Sequence, residues 1–312
     1  MAFSNDGINF SPFEPYASTK AWTLPAGDGA KTVYAKFKDR ADNVSQPVSA
    51  TIVLDQTSPA GSVAINNGAA YTTNRTITLA LTASDSGTGV RQMYLSDGVM
   101  SSGWISYTTS AAWALAGGDG NKTITARFRD AAGNVSALAT AAIVLDTLPP
   151  SATVSPLSSY QVSPTFPITV SGTDATSSVA SYDVEFRDGV SGAWTGWLTG
   201  TTVTTASFTG LDGHTYSFRA RARDNAGNIS GYSAGDTQTT VDATPPATDR
   251  FLINFGALET TGVTVSLSLG ASDATSGVAA MSFSNDGASW SDWQPYASML
   301  AWDMGDSNAV HV

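Results

Sequence analysis

One eight-residue motif, returning at long intervals, constrains this chain more than any other feature. Arg129-Asp130-Ala131-Ala132-Gly133-Asn134-Val135-Ser136 recurs as Arg223-Asp224-Asn225-Ala226-Gly227-Asn228-Ile229-Ser230. It returns, with changes, as Lys38-Asp39-Arg40-Ala41-Asp42-Asn43-Val44-Ser45. Each copy follows a stretch of alternating apolar and polar residues, at 33–37, 124–128 and 216–222. Period-two alternation is the signature of a strand with one buried face. Each copy also precedes a second strand-like stretch that runs into an Asp and a Pro-bearing linker. Those linkers are Leu54-Asp55-Gln56-Thr57-Ser58-Pro59, Leu145-Asp146-Thr147-Leu148-Pro149-Pro150 and Val241-Asp242-Ala243-Thr244-Pro245-Pro246. A strand–loop–strand–linker order repeating every ~90–100 residues is a tandem array of small β-domains.

A second marker keeps the same period. Ser84-Asp85-Ser86-Gly87-Thr88-Gly89-Val90 matches Thr173-Asp174-Ala175-Thr176-Ser177-Ser178-Val179 and Ser272-Asp273-Ala274-Thr275-Ser276-Gly277-Val278. In the first full unit, alternation predicts strands at 76–83, 90–96, 104–107, 112–115, 122–129 and 139–145, with Ile77, Leu79 and Leu81 pointing inward. No stretch carries a convincing 3.6-residue period. The fold class is therefore all-β: tandem immunoglobulin-like β-sandwiches.

The sequence places a C-terminal half of a unit at 1–55, an immunoglobulin-like unit at 56–146, a second full unit at 147–242, and an N-terminal half at 243–302. Residues 303–312 match no repeat, so the chain reads as a fragment of a longer repeat protein. Half a sandwich leaves an inner face and edge strands bare. The two halves jointly hold every strand of one unit, with the middle duplicated. Complementation is the expectation, within one chain or between two by swapping.

Composition narrows the function. Charged residues are only 13% of 312, and the net charge is −11. No basic face is available to neutralise phosphates, which excludes nucleic acid as a partner. Cys is absent, so neither a disulfide nor a thiolate ligand enters. No run of 18 apolar residues exists, hence no helical membrane span. Residues 1–4 do not open a signal peptide; for an extracellular or cell-surface protein the targeting segment is expected outside this chain.

Residues 211–228, from Leu211-Asp212-Gly213-His214-Thr215-Tyr216 to Asp224-Asn225-Ala226-Gly227-Asn228, resemble strand F of a fibronectin type III module and its flanks. That resemblance implies that Tyr216 is the corner tyrosine. The unit at 56–146 and the two halves resemble bacterial surface immunoglobulin-like repeats, often described as cadherin-like. The Asp-x-x-x-Pro linkers, the Asp-x-x-Ser-Gly-Val text and the Asp-x-Ala-Gly-Asn loops carry that likeness. The first loop copy departs from it, with Asp42 where the others have Gly.

In such a sandwich the start of the first strand, the B–C loop and the F–G loop share one end. That brings together Asp55, Asp85, Asp130 and Asn134 in one unit, and Asp146, Asp174, Asp224 and Asn228 in the next. A composite third set would take Asp242 and Asp273 from one half-unit and Asp39 and Asn43 from the other. Carboxylates and amide carbonyls are hard oxygen donors, and Ca²⁺ is the ion they suit. Turn chemistry is the competing account, since Asp and Asn before Gly bond their own backbone. The Asp-Gly pairs at 6–7, 28–29, 97–98, 119–120, 188–189 and 212–213 read as turns with Gly at positive φ.

Aromatic groups at Trp104/Tyr107/Trp113, Trp194/Trp197 and Trp290/Trp293/Tyr296/Trp302 read as core filling and edge protection. The two histidines are His214, in a turn, and His311, in the tail; no nucleophile-elbow text accompanies them. The leading expectation is a calcium-binding, structural or adhesive repeat. One alternative is a metal-dependent hydrolase of phosphate or carboxyl esters, with the loop carboxylates holding the metal. The other is a carbohydrate-binding module built on the Trp groups. Expected partners are a second half-unit of the same protein and a glycan or protein ligand.

Overall fold

The computed structural model describes residues 1–234 and 237–305. His311 and most of the non-repeat tail fall outside them. The chain divides into two units, Met1–Leu148 and Pro149–Val312.

The first unit opens with β1 (Ala2–Ser4), β2 (Gly29–Lys36) and β3 (Val48–Leu54), which form one antiparallel sheet in that order. A full sandwich follows. Its strands are β4 (Ala60–Ile65), β5 (Tyr71–Thr72), β6 (Thr76–Ser84), β7 (Val90–Ser96), β8 (Ser101–Ser106), β9 (Ser110–Ala114), β10 (Gly120–Asp130) and β11 (Ala139–Leu145). One sheet runs β4-β6-β9 and the other β5-β11-β10-β7-β8. The alternating residues do what their period requires. Ile77, Leu79 and Leu81 on β6 meet Met93 and Leu95 of β7, Ile124 and Phe128 of β10, and Ile143 and Leu145 of β11 in one buried core. Tyr107 and Trp113 pack against that core, and the Tyr107 hydroxyl accepts the Ala83 N–H at 3.0 Å.

The second unit repeats this plan with β12 (Ser151–Val154), β13 (Tyr160–Gln161), β14 (Thr165–Thr173), β15 (Val179–Asp188), β16 (Thr195–Thr201), β17 (Thr205–Thr209), β18 (Thr215–Asp224) and β19 (Thr237–Val241). Its sheets are β12-β14-β17 and β13-β19-β18-β15-β16, the same strand order as the first full sandwich. Phe166, Phe208, Tyr216 and Phe218 dominate one part of its core. Tyr216 is the corner tyrosine: its hydroxyl accepts the Leu211 N–H at 2.9 Å.

The last repeat holds β20 (Ala247–Ile253), β21 (Thr264–Ser272) and β24 (Met299–Asp303) in one sheet. A two-stranded pair, β22 (Ala280–Met281) and β23 (Gln294–Pro295), accompanies it. Val265, Leu267, Leu269 and Phe283 form its small core. Among the described residues the only helical pieces are the single turns Asn66–Gly68 and Asn254–Gly256.

Candidate metal centre

The centre begins with the recurring loop. Asp130 is the last residue of β10, and its backbone is committed to the strand ladder. Its Oδ1 accepts the N–H groups of Gly133 (2.7 Å) and Asn134 (2.8 Å), while Oδ2 accepts the Asn134 Nδ2 at 2.8 Å. Gly133 sits at φ 104°, a conformation that side chains disfavour. The first copy makes the same loop with Asp42 at φ 66°. That costs strain, but Asp is among the residues that tolerate left-handed backbone. Asp42 also pairs with Lys38 at 2.7 Å.

Asn134 carries the loop to its neighbours. Its Nδ2 also donates to the Asp55 backbone carbonyl at 3.0 Å. The Nδ2 group of Asn134 thus ties the start of the repeat to its F–G loop, and both of these bonds leave the side-chain carbonyl oxygen out. Asp55 follows β3 and is buried. Its Oδ2 accepts the Thr88 hydroxyl (2.6 Å) and N–H (2.7 Å), and Oδ1 accepts the Thr57 N–H at 3.1 Å. The Thr88 hydroxyl bond comes first among the causes that hold the Asp55 carboxyl below its ordinary pKa. Thr88 in turn accepts the Ala132 N–H at 3.1 Å. Three segments far apart in sequence are therefore laced together.

Asp85 is the third carboxylate. Its Oδ2 accepts the N–H groups of Gly87 and Gly89, both at 2.9 Å. Its Oδ1 is buried and has no hydrogen-bond partner. Gly87 has to be glycine, because a Cβ there would run into the Asp55 carboxyl group. Asp55, Asp85 and Asp130 each bring a carboxylate oxygen into a group lying within 4.8 Å of one another. Like charges this close repel unless a proton or cation intervenes. An all-oxygen donor set matches a hard divalent ion such as Ca²⁺.

The second predicted set divides between the two units. Asp146, at the end of β11, is fully buried; its N–H donates to the Thr72 carbonyl at 2.9 Å. In the other unit, Asp224 repeats the loop clamp, accepting Gly227 and Asn228 N–H groups and the Asn228 Nδ2. Asp174 accepts three consecutive N–H groups, from Thr176, Ser177 and Ser178. Burial works against its ionisation, but those amides prevail and its pKa lies below the ordinary value. The Asp174 loop and the Asp224 loop are joined by Asn225, whose Nδ2 donates to the Ser177 carbonyl at 2.7 Å.

The composite third set is divided in the same way. Asp39 and Asn43 form the loop clamp alone, with Nδ2 to Oδ2 at 2.9 Å. Asp273 accepts Thr275, Ser276 and Gly277 N–H groups, and Asp242 has a buried Oδ1 without a hydrogen-bond partner.

The Asp-Gly turns take the expected positive φ at Gly7, Gly29, Gly98, Gly120, Gly189 and Gly213. Three of their aspartates do more. Asp28 accepts the Gln56 N–H and Thr57 hydroxyl, Asp119 accepts the Thr147 N–H and hydroxyl, and Asp212 accepts the Ala243 N–H and Thr244 hydroxyl. These bonds pin each linker to the Asp-bearing turn beside it. Their signal was a Thr within two residues after every linker Asp. His214 Nδ1 lies 2.8 Å from Asp188 Oδ2.

No protein-family model matches the chain. Chitinase A1 of Niallia circulans is 32% identical over 243 residues, which is 75% of this chain. The chain spans 32% of that relative's length. Among solved structures, fibronectin(III)-like modules of Clostridium thermocellum CbhA match 58% of this chain and 94% of their own, at 15% identity and a TM-score of 0.34. A tetra-tandem repeat from the extending region of a large adhesion protein matches 88% of this chain and 73% of its own, at 18% identity and a TM-score of 0.30. The chain is a tandem array of immunoglobulin-like, fibronectin type III-like repeats. In the array, the laced loops stand where one repeat hands over to the next: Asp55 closes the first half-unit and its carboxylate belongs to the centre of the following sandwich.

Proposed function

We propose that the chain is part of an extracellular repeat protein whose role is structural or adhesive, and that Ca²⁺ held by Asp55, Asp85 and Asp130 stiffens the junction between repeats. The observation that carries this is Asp85 Oδ1, a buried carboxylate oxygen with no hydrogen-bond partner beside two further carboxylates. An unpaired buried carboxylate oxygen is costly, and a divalent cation would satisfy it and offset the repulsion. Asp55 supplies the mechanical consequence, since it belongs to the linker and would be locked to the two loops of the next sandwich. Absence of Cys fits a domain that uses an ion where others use a disulfide.

The test is a thermal melt after chelation and again with added Ca²⁺. A site filled to ~100 times its Kd adds about 2.7 kcal/mol, which is readable as a raised Tm. Asp85→Asn keeps the shape and removes the charge; it should abolish the rise. An unchanged melting curve on chelation would argue against the reading.

A second reading, contact with a glycan, rests on Trp290 and Trp293, which are both exposed and line one trough of the last repeat, and on the likeness to a chitinase. Flat rings that face solvent stack on sugar faces. Binding to chitin that is lost in Trp290→Ala and Trp293→Ala would support it; equal retention by both variants would remove it.

A further inference from the structure

The two half-units carry matching uncovered faces, and the full sandwich of the first unit shows what such faces do when covered. Position by position, β2 and β3 correspond to β10 and β11. Phe37 matches Phe128, and Ile52 matches Ile143. Phe128 and Ile143 are 0% and 2% exposed; Phe37 and Ile52 are 40% and 59% exposed. The sequence calls for a buried face in both places, and only one has an opposing sheet.

The last repeat shows the reverse. Its β20, β21 and β24 correspond to β4, β6 and β9, and they form the same three-stranded sheet. Among its described residues none forms a counterpart of β10 or β11. Phe251 stands where β4 has Val63, and is 60% exposed against 8%. An apolar trough of 840 Å³ opens beside it, lined by Phe251, Leu269, Ala271, Met281, Phe283 and Tyr296. A void that size is far larger than a packing defect and lies within the range of binding clefts.

A third observation points the same way. Tyr107 and Tyr296 each lay a hydroxyl on the neighbouring sheet, accepting Ala83 and Ala271 N–H groups at 3.0 Å. Their counterpart in the first half-unit is Tyr16, which is 77% exposed.

We infer that the occupant of the trough is a second copy of this chain: β2 and β3 of one molecule cover β20 and β21 of another, and the pair closes one complete sandwich. The packing of β10 and β11 on β4 and β6 in the same chain is the template for that interface. Val33, Ala35, Phe37, Ile52 and Leu54 would enter the trough as Ile124, Ala126, Phe128, Ile143 and Leu145 enter theirs. Text equivalent to β7 is present in both halves, at 1–7 and 281–287, so closure displaces one copy of it. The inference does not depend on calcium.

Mass by multi-angle light scattering tests it, on the whole chain with chelator present. Two chains or more per particle are expected. Phe37→Asp and Phe251→Asp alter residues that are exposed within one chain, and each should shift the mass to a single chain while the melts of the two full sandwiches stay in place. An equimolar mixture of the two variants should regain a two-chain particle, because each supplies the face that the other has lost. A wild-type chain that stays single at every concentration, or a mass that neither substitution changes, overturns the inference.

Discussion

Residues 1–55 and residues 92–146 carry matching strand text and the same loop, yet reach different states. In the full sandwich, Phe128 and Ile143 vanish into a core; in the half-unit, Phe37 and Ile52 face outward. The loops differ far less. Asp39 and Asn43 bond each other and the intervening backbone as Asp130 and Asn134 do. The Asp–Asn clamp is thus autonomous, because every bond within it spans four residues or fewer. Burial is not, because it needs an opposing sheet dozens of residues away.

Truncation of the aromatic at matched positions breaks this comparison most visibly. Phe128→Ala should cost about 3–5 kcal/mol, as removal of a fully packed ring does. In chelated protein held as single chains, Phe37→Ala should cost less than about 0.5 kcal/mol, as exposed positions do. Urea unfolding followed by tryptophan fluorescence reads both. Equal costs would mean that the half-unit possesses a core of its own.

The loop clamp gives a smaller effect. Asn134→Ala removes the bonds to Asp130 and to the Asp55 carbonyl, leaving buried acceptors unmet; about 1–3 kcal/mol is expected. Asn43→Ala removes only a solvent-exposed bond to Asp39 and should leave unfolding midpoints unchanged. Asn134→Ala should also reduce the Ca²⁺-dependent rise in Tm, since it frees the linker from the loop.

What the sequence makes legible follows the same division. Strand positions, the three loop copies, the corner tyrosine and the convergence of Asp55, Asp85 and Asp130 can all be read from period and spacing, because each follows from short-range geometry repeated along the chain. Three things cannot. The tie from Asn134 Nδ2 to the Asp55 carbonyl depends on where the Asp55 backbone arrives. The pinning of linkers by Asp28, Asp119 and Asp212 joins the residue before an antiparallel strand pair to the linker after it, some thirty residues on, and the Asp-Gly text alone states only the turn. The orphaned Asp85 Oδ1 is a property of packing, visible only once three segments are in place.

The corner tyrosine offers a prediction of about 1 kcal/mol. Tyr216→Phe deletes the hydroxyl that accepts the Leu211 N–H, a bond of the ordinary net worth, without changing the ring packed against Phe208. A denaturation midpoint for the second full sandwich should fall accordingly, and the first sandwich should be indifferent.

The finest distinction between the two regions is electrostatic. Asp39 and Asp55 both titrate below the ordinary carboxylate value, for different reasons. Asp39 is held down first by the side chain of Asn43 in its own loop, and Asp55 first by the hydroxyl of Thr88 in another segment. A depressed native pKa contributes stability that is present above the unfolded value, near 3.9, and is lost as pH falls through the native value. Thr88→Val should therefore raise the Asp55 pKa and move the onset of acid unfolding of the first full sandwich to higher pH, while Asp39 stays where it is. Carboxylate carbon shifts followed by NMR between neutral and acidic pH separate the two residues. If Asp39 moved along with Asp55, the loop in the half-unit would be coupled to the sandwich after all, and the autonomy drawn from its four-residue bonds would fail.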